Sequence, residues 1–86
     1  MDVRISRHAR EEMERRSIPM GLVESVLRRP QQIVPQRGRT RAYQSKVEFP
    51  GGSVYLLRAI VNDETDPPTL VTVYRTGKIG KYWRAP

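Results

Sequence analysis

The sequence predicts an α+β fold, with two N-terminal helices packed on an antiparallel sheet of three or four strands. Three observations carry that expectation. Apolar residues at the front of the chain recur three or four apart, as on one face of a helix. From Ala42 onward they alternate, as along a half-buried strand. Prolines and glycines fall between the two kinds of segment. Residues 1–86 read as one domain, because compact domains seldom divide below ~100 residues.

Ser6 suits the N-cap of a first helix, since its hydroxyl can accept from a free amide one turn later. The helix expected over Arg7 to Arg16 carries Ile5, Ala9 and Met13 in a narrow apolar stripe. Glu11, Glu12, Arg15 and Arg16 allow one-turn ion pairs, each worth ~0.3–0.5 kcal/mol. Ser17-Ile18-Pro19 breaks the helix, because the residue before a proline is pushed out of helical geometry. A second helix starts after Pro19, with Leu22, Val23, Val26 and Leu27 as its buried side. Arg28 and Arg29 suit its C-terminal dipole, and Pro30 stops it.

Ile33-Val34 is a short apolar piece before Pro35, followed by a basic loop, Gln36 to Arg41. Tyr43, Ser45, Val47 and Phe49 then alternate with Ala42, Gln44, Lys46 and Glu48, the pattern of a strand with one buried face. Pro50-Gly51-Gly52 is a turn. Val54 to Val61 is apolar on both sides apart from Arg58 and reads as the central strand. The loop Asn62 to Pro68 is acidic and proline-rich, Leu70 to Tyr74 is a further strand, and Arg75 to Arg84 is a basic, aromatic tail.

Composition narrows the function. Hydrophobic residues make up 37% of the chain and charged residues 29%, polar for a small domain but not disordered. The chain has no cysteine, which excludes disulfides and cysteine-based zinc or redox sites within it and favours the cytoplasm. No apolar run approaches the ~20 residues that span a bilayer, and no apolar stretch follows the first residues as in a signal peptide. Sixteen Lys and Arg oppose nine Asp and Glu, a net charge of +7 that attracts polyanions. Arginine dominates, with Lys46, Lys78 and Lys81 the only lysines. Its planar fork suits phosphate, so RNA is the expected partner.

Three constellations stand out. His8, the only histidine, shares a helix side with Glu11, Glu12 and Arg15, the parts of an acid–base phosphodiester site. The competing reading makes it a structural hydrogen-bonder. Tyr74 and Arg75, followed by Lys78, Lys81, Tyr82 and Trp83, mix cations for phosphate with rings that stack on bases. Trp83 covering the sheet explains part of that segment equally well. Arg37, Arg39 and Arg41 alternate along the basic loop and suit either a backbone clamp or a charged edge that discourages aggregation. No metal site, no cofactor fingerprint and no nucleophile elbow is present in the sequence.

Ile5-Ser6-Arg7-His8-Ala9-Arg10, with Met13, Arg15-Arg16, Ile18-Pro19, Val23, Val26-Leu27, Pro30 and Val71-Thr72-Val73-Tyr74, resembles a family of small bacterial proteins of unknown function. That family is similar to the BrnT- and RelE-type toxins, whose two-helix, antiparallel-sheet fold is shared with metal-independent ribonucleases of the barnase and colicin type. The resemblance implies endoribonuclease activity held in check by an acidic antitoxin-like protein. It places catalysis at His8, Arg15, Tyr74 and Arg75; the basic loop and tail read above supply the expected RNA-binding residues, Arg37, Arg39, Arg41, Lys78, Lys81 and Tyr82. A 2′-hydroxyl would attack phosphorus, with His8 as acid or base, Arg15 and Arg75 on the phosphate, and Tyr74 as proton donor or base stacker. Two other readings use the same charges: a non-catalytic RNA-binding module, and an inactive protein that meets an acidic partner.

Overall fold

The computed structural model describes residues 2–85. A two-residue strand, β1 (Arg4–Ile5), leads into α1 (Arg7–Arg15) and α2 (Met20–Arg28). Then come β2 (Gln32–Pro35), β3 (Arg41–Glu48), β4 (Val54–Asn62), β5 (Thr69–Thr76) and a short helix, α3 (Ile79–Tyr82). The strands form one five-stranded sheet in the order β1-β5-β4-β3-β2. Neighbours are antiparallel except β1 and β5, which run parallel.

This corrects the expected architecture of two N-terminal helices on an antiparallel sheet of three or four strands. The sheet has five strands and is mixed; a strand precedes the helices, and a third helix follows the sheet. The physical reason lies at Ile5. Its spacing to Ala9 and Met13 fits a helical stripe, yet its backbone belongs to the sheet edge, where Arg4 donates to Pro68 O at 2.8 Å and Ser6 to Leu70 O at 3.1 Å. A two-residue strand has no period to reveal it.

Ser6 then turns the chain into α1. Its Oγ accepts from the Ala9 amide at 3.0 Å and donates to Val71 O at 2.8 Å, so one hydroxyl caps the helix and ties it to β5. The chain leaves α1 through Ser17, at a left-handed φ of 53°. The β3–β4 turn needs its glycines: Gly51 and Gly52 sit at φ 101° and 92°, where a Cβ is strained.

The sheet is covered by α1 and α2 on one face. Ala9, Met13, Val23, Val26 and Leu27 of the helices join Tyr43, Leu57, Ala59, Val61, Leu70 and Val73 of the strands in one buried cluster. Each fully buried Leu or Val stabilises the fold by about 1.5–3 kcal/mol. Strand side chains alternate, so the residues between these point to the opposite, open face. A register shift between Ile60 and Val61 leaves Val71 as the extra residue on β5, and the alternation resumes beyond it. Among the described residues, no helix is long and apolar enough to cross a membrane.

Candidate functional site

On the open face the register places four polar residues in a straight row across four strands. Gln32 of β2 stands opposite Gln44 of β3, Gln44 opposite Arg58 of β4, and Arg58 opposite Tyr74 of β5. Directly opposed residues have Cβ atoms only ~4.5–5.5 Å apart, so the row becomes a hydrogen-bond chain. Gln44 Nε2 donates to Gln32 Oε1 at 2.8 Å, Arg58 Nε to Gln44 Oε1 at 2.8 Å, and Arg58 Nη1 to the Tyr74 hydroxyl at 2.5 Å. With its amide oxygen turned toward the guanidinium, Gln36 accepts from Arg58 Nη2 at 2.6 Å.

Arg58 is 3% exposed and Gln44 0%. An arginine stays protonated at any accessible pH, and a buried charge is ordinarily paired with an opposite one. Here, among the described residues, no carboxylate forms an ion pair with Arg58. Its hydrogen-bond acceptors are two amide oxygens and a phenol, all neutral. The charge is therefore held in place but not cancelled.

Aromatic rings close over it. The guanidinium carbon lies 4.3 Å from the centroid of Tyr82 and 5.7 Å from that of Tyr74, and the two rings meet edge to face. Lys46, further along β3, sits 4.1 Å over the ring of Trp83. Lys81 lies 5.3 Å from the Tyr82 ring, and Lys78 and Arg84, flanking in the same segment, are exposed. The arrangement suits a polyanion whose bases stack and whose phosphates meet cations.

The residues singled out in the sequence are not all brought together. Tyr74 is in the row and Tyr82 lies over it. Arg75, one residue on, faces the helix side by strand alternation, its guanidinium 4.6 Å from the ring of Phe49 and 4.9 Å from that of Tyr55. His8 is exposed on α1, the helix on the other side of the sheet. Arg15 is engaged with Glu12 at 2.8 Å, and hydrogen bonds from Arg15 and Arg16 hold the Glu12 carboxyl down at about 2. In the β2–β3 turn Arg37 is exposed. Arg39 and Arg41 lean on the acidic β4–β5 loop, to Glu64 at 3.8 Å and Asp63 at 3.1 Å. Among the described residues, no three His, Asp or Glu side chains gather as a metal site.

Arg58, Gln44, Gln32 and Gln36 were not among the expected site residues. The available signal was Arg58 itself, the one charge in an otherwise apolar central strand. Its glutamine partners emerge only from the register.

No curated protein and no solved structure matches the chain. The family model described as a domain of unknown function, DUF4258, matches residues 5–75, and the chain belongs to that family. The row residues fall inside the matched span, and residues 76–85, with α3, fall beyond it.

Proposed function

We propose that this member of the DUF4258 family engages RNA over the open face of its sheet and cleaves it without a metal, as the BrnT- and RelE-type toxins it resembles would. The observation that carries this reading is Arg58, a buried cation held by neutral acceptors. A charge kept dry and uncancelled is a strong ligand for a phosphoryl oxygen, and more so as negative charge builds on it.

The chemistry follows from the row. The 2′-oxygen of a ribose attacks the neighbouring phosphorus as its proton leaves to solvent. The bond to the 5′-oxygen breaks, and a proton on that oxygen completes the products, a 2′,3′-cyclic phosphate and a 5′-hydroxyl. Tyr74 would supply that proton: its oxygen accepts from Arg58 Nη1, so its own hydrogen is free to be donated elsewhere. Arg58 stabilises the phosphoryl charge, and Lys46 of β3 holds a flanking phosphate. His8, across the sheet, takes no part. In the toxin reading an acidic antitoxin-like protein is the natural inhibitor of so basic a face.

A second reading, a non-catalytic RNA-binding module, is favoured by that same position of His8, which leaves the row without an imidazole. The test is cleavage of a mixed-sequence single-stranded RNA in EDTA. Wild type should release cyclic-phosphate ends, Tyr74→Phe should be slower by about 10²–10⁴-fold, and His8→Ala should cut at the wild-type rate. Folded protein that binds RNA yet cuts none of several substrates leaves the binding module. Absence of RNA binding at low salt removes both readings.

A further inference from the structure

We infer that the segment from Lys78 to Ala85 is a removable cover over Arg58, closed in this structure and displaced when an anionic ligand enters. Its hydrogen bonds and cation–ring contacts to the rest of the chain run to the row or beside it. Gln32 Nε2 donates to Arg84 O at 2.5 Å and Gln32 Oε1 accepts from the Arg84 amide at 3.1 Å, a two-way clasp between a side chain and the main chain. Gln44 Nε2 donates to Tyr82 O at 3.2 Å. The Tyr82 ring is laid on the guanidinium, and Trp83 under Lys46. The cover thus closes the side of the site that the sheet leaves open.

What holds the cover is weak beside what holds the sheet. Helix α3 has four residues, none of them buried, and no side-chain cap. It follows Gly77 and contains Gly80. Segments with few buried contacts open locally at little cost, well short of global unfolding. The row beneath keeps its shape without the cover, because Arg58 is fixed by Gln44, Tyr74 and Gln36 from the sheet and the β2–β3 turn. Opening therefore bares a cation already in position. A face of Tyr82 satisfies that cation only partly, and a phosphate satisfies it better, so ligand and cover compete for one guanidinium. In taking RNA as the entering ligand the inference rests on the function proposed above; the movement itself does not.

If the open form is populated at about 1–10%, closure lowers the apparent affinity by roughly 10–100-fold. Gln32→Ala removes both halves of the clasp. The experiment reads three quantities on wild type and this variant: amide exchange over 79–84, modification of Arg58 by phenylglyoxal with exposed Arg37 as the internal standard, and affinity for a fluorescein-labelled oligouridylate at low salt. In wild type Arg58 should react far more slowly than Arg37. In Gln32→Ala exchange should quicken, Arg58 should react on the order of ten times faster, and the oligonucleotide should bind roughly 3–10-fold more tightly, within the range the closed fraction sets. Tyr82→Ala strips the ring directly, and Arg58 must become reactive there even if the clasp alone does not hold the segment. Arg58 as reactive as Arg37 in wild type, or protected in both variants, overturns the cover. Quickened exchange with weaker oligonucleotide binding overturns the competition, since the segment would then be part of the ligand site. Reactive Arg58 in the variants with no RNA binding by any form leaves the cover standing and removes the proposed function instead.

Discussion

Leu57 and Arg58 are neighbours on β4, both buried, and they face opposite ways into different surroundings. Leu57 joins Met13, Val26 and Val73 in an apolar cluster with two helices over it. Arg58 lies in a hydrogen-bonded polar row under a single turn of helix. The helix face is stabilised by area removed from water, which is insensitive to small shifts in position. The open face depends on direction, since each bond in the row requires a particular opposed residue. The comparison teaches where a small protein can keep an uncancelled charge: on the side that does not hold the fold together.

The difference can be broken from the helix side first. Leu57→Ala should cost about 2–5 kcal/mol, a large part of the 5–15 kcal/mol typical of a whole domain, as measured by urea unfolding. Phosphate or RNA affinity of the fraction still folded should hardly change.

From the open side the expected effect is smaller and of opposite sign. Gln36→Glu gives Arg58 the carboxylate it lacks. A charge-assisted hydrogen bond exceeds a neutral one by about 1 kcal/mol, so the melting temperature should rise, while RNA affinity falls about tenfold or more. A variant that is more stable and binds as well as wild type would show that the charge of Arg58 serves no ligand.

Ser6→Ala acts where the two regions meet the sheet edge. It removes the cap of α1 and the bond to Val71 O together and should cost about 1 kcal/mol, read from thermal melts.

The smallest effect separates the regions by pH. Glu12 sits at about 2 in the folded chain against an ordinary 4.5, so its bonds to Arg15 and Arg16 contribute above pH 4.5 and are lost as pH falls from 4.5 toward 2. Glu12→Gln should flatten the acid limb of stability in that window. Among the described residues Arg58 has no carboxylate hydrogen-bond partner, so the row should hold its shape there, as amide exchange on β3 and β4 can show.

Much of the helix side was legible in the sequence, because burial imposes a period. Alternation from Tyr43 to Phe49, the apolar run from Val54 to Val61 and the stripe Val23-Val26-Leu27 each mark a core-facing element. The Ser6 cap was legible for a local reason, since its acceptor lies one turn away. The open face was not legible in the same way. Glutamine carries no chemical signature, and Gln44 acquires one only when the β3–β4 register sets it against Arg58. The pairing of His8 with Tyr74 was an inference from kinds of residue, and the fold puts them on opposite sides of the sheet. Tyr74 and Arg75 illustrate it best: adjacent in a strand, they cannot serve one face. In sequence the α3 segment reads as a tail, because basic and aromatic residues without a period give no sign of what they lie on.

The bond between Ser6 and Val71 has a consequence for the order in which the molecule is made. The two residues are 65 positions apart. At about 5–20 residues per second, a ribosome finishes the residues of α1 roughly several seconds before the strand they dock against exists. A nine-residue helix is too short to persist alone in water. Through that interval the apolar side of α1 has no native surface to cover it. Docking of the N-terminal segment must then close a long loop, a cost that grows slowly with its length but precedes any contact it rewards. In the growing chain the hairpin of β3 and β4 is therefore expected to form first, with β1 and α1, made earlier, added last.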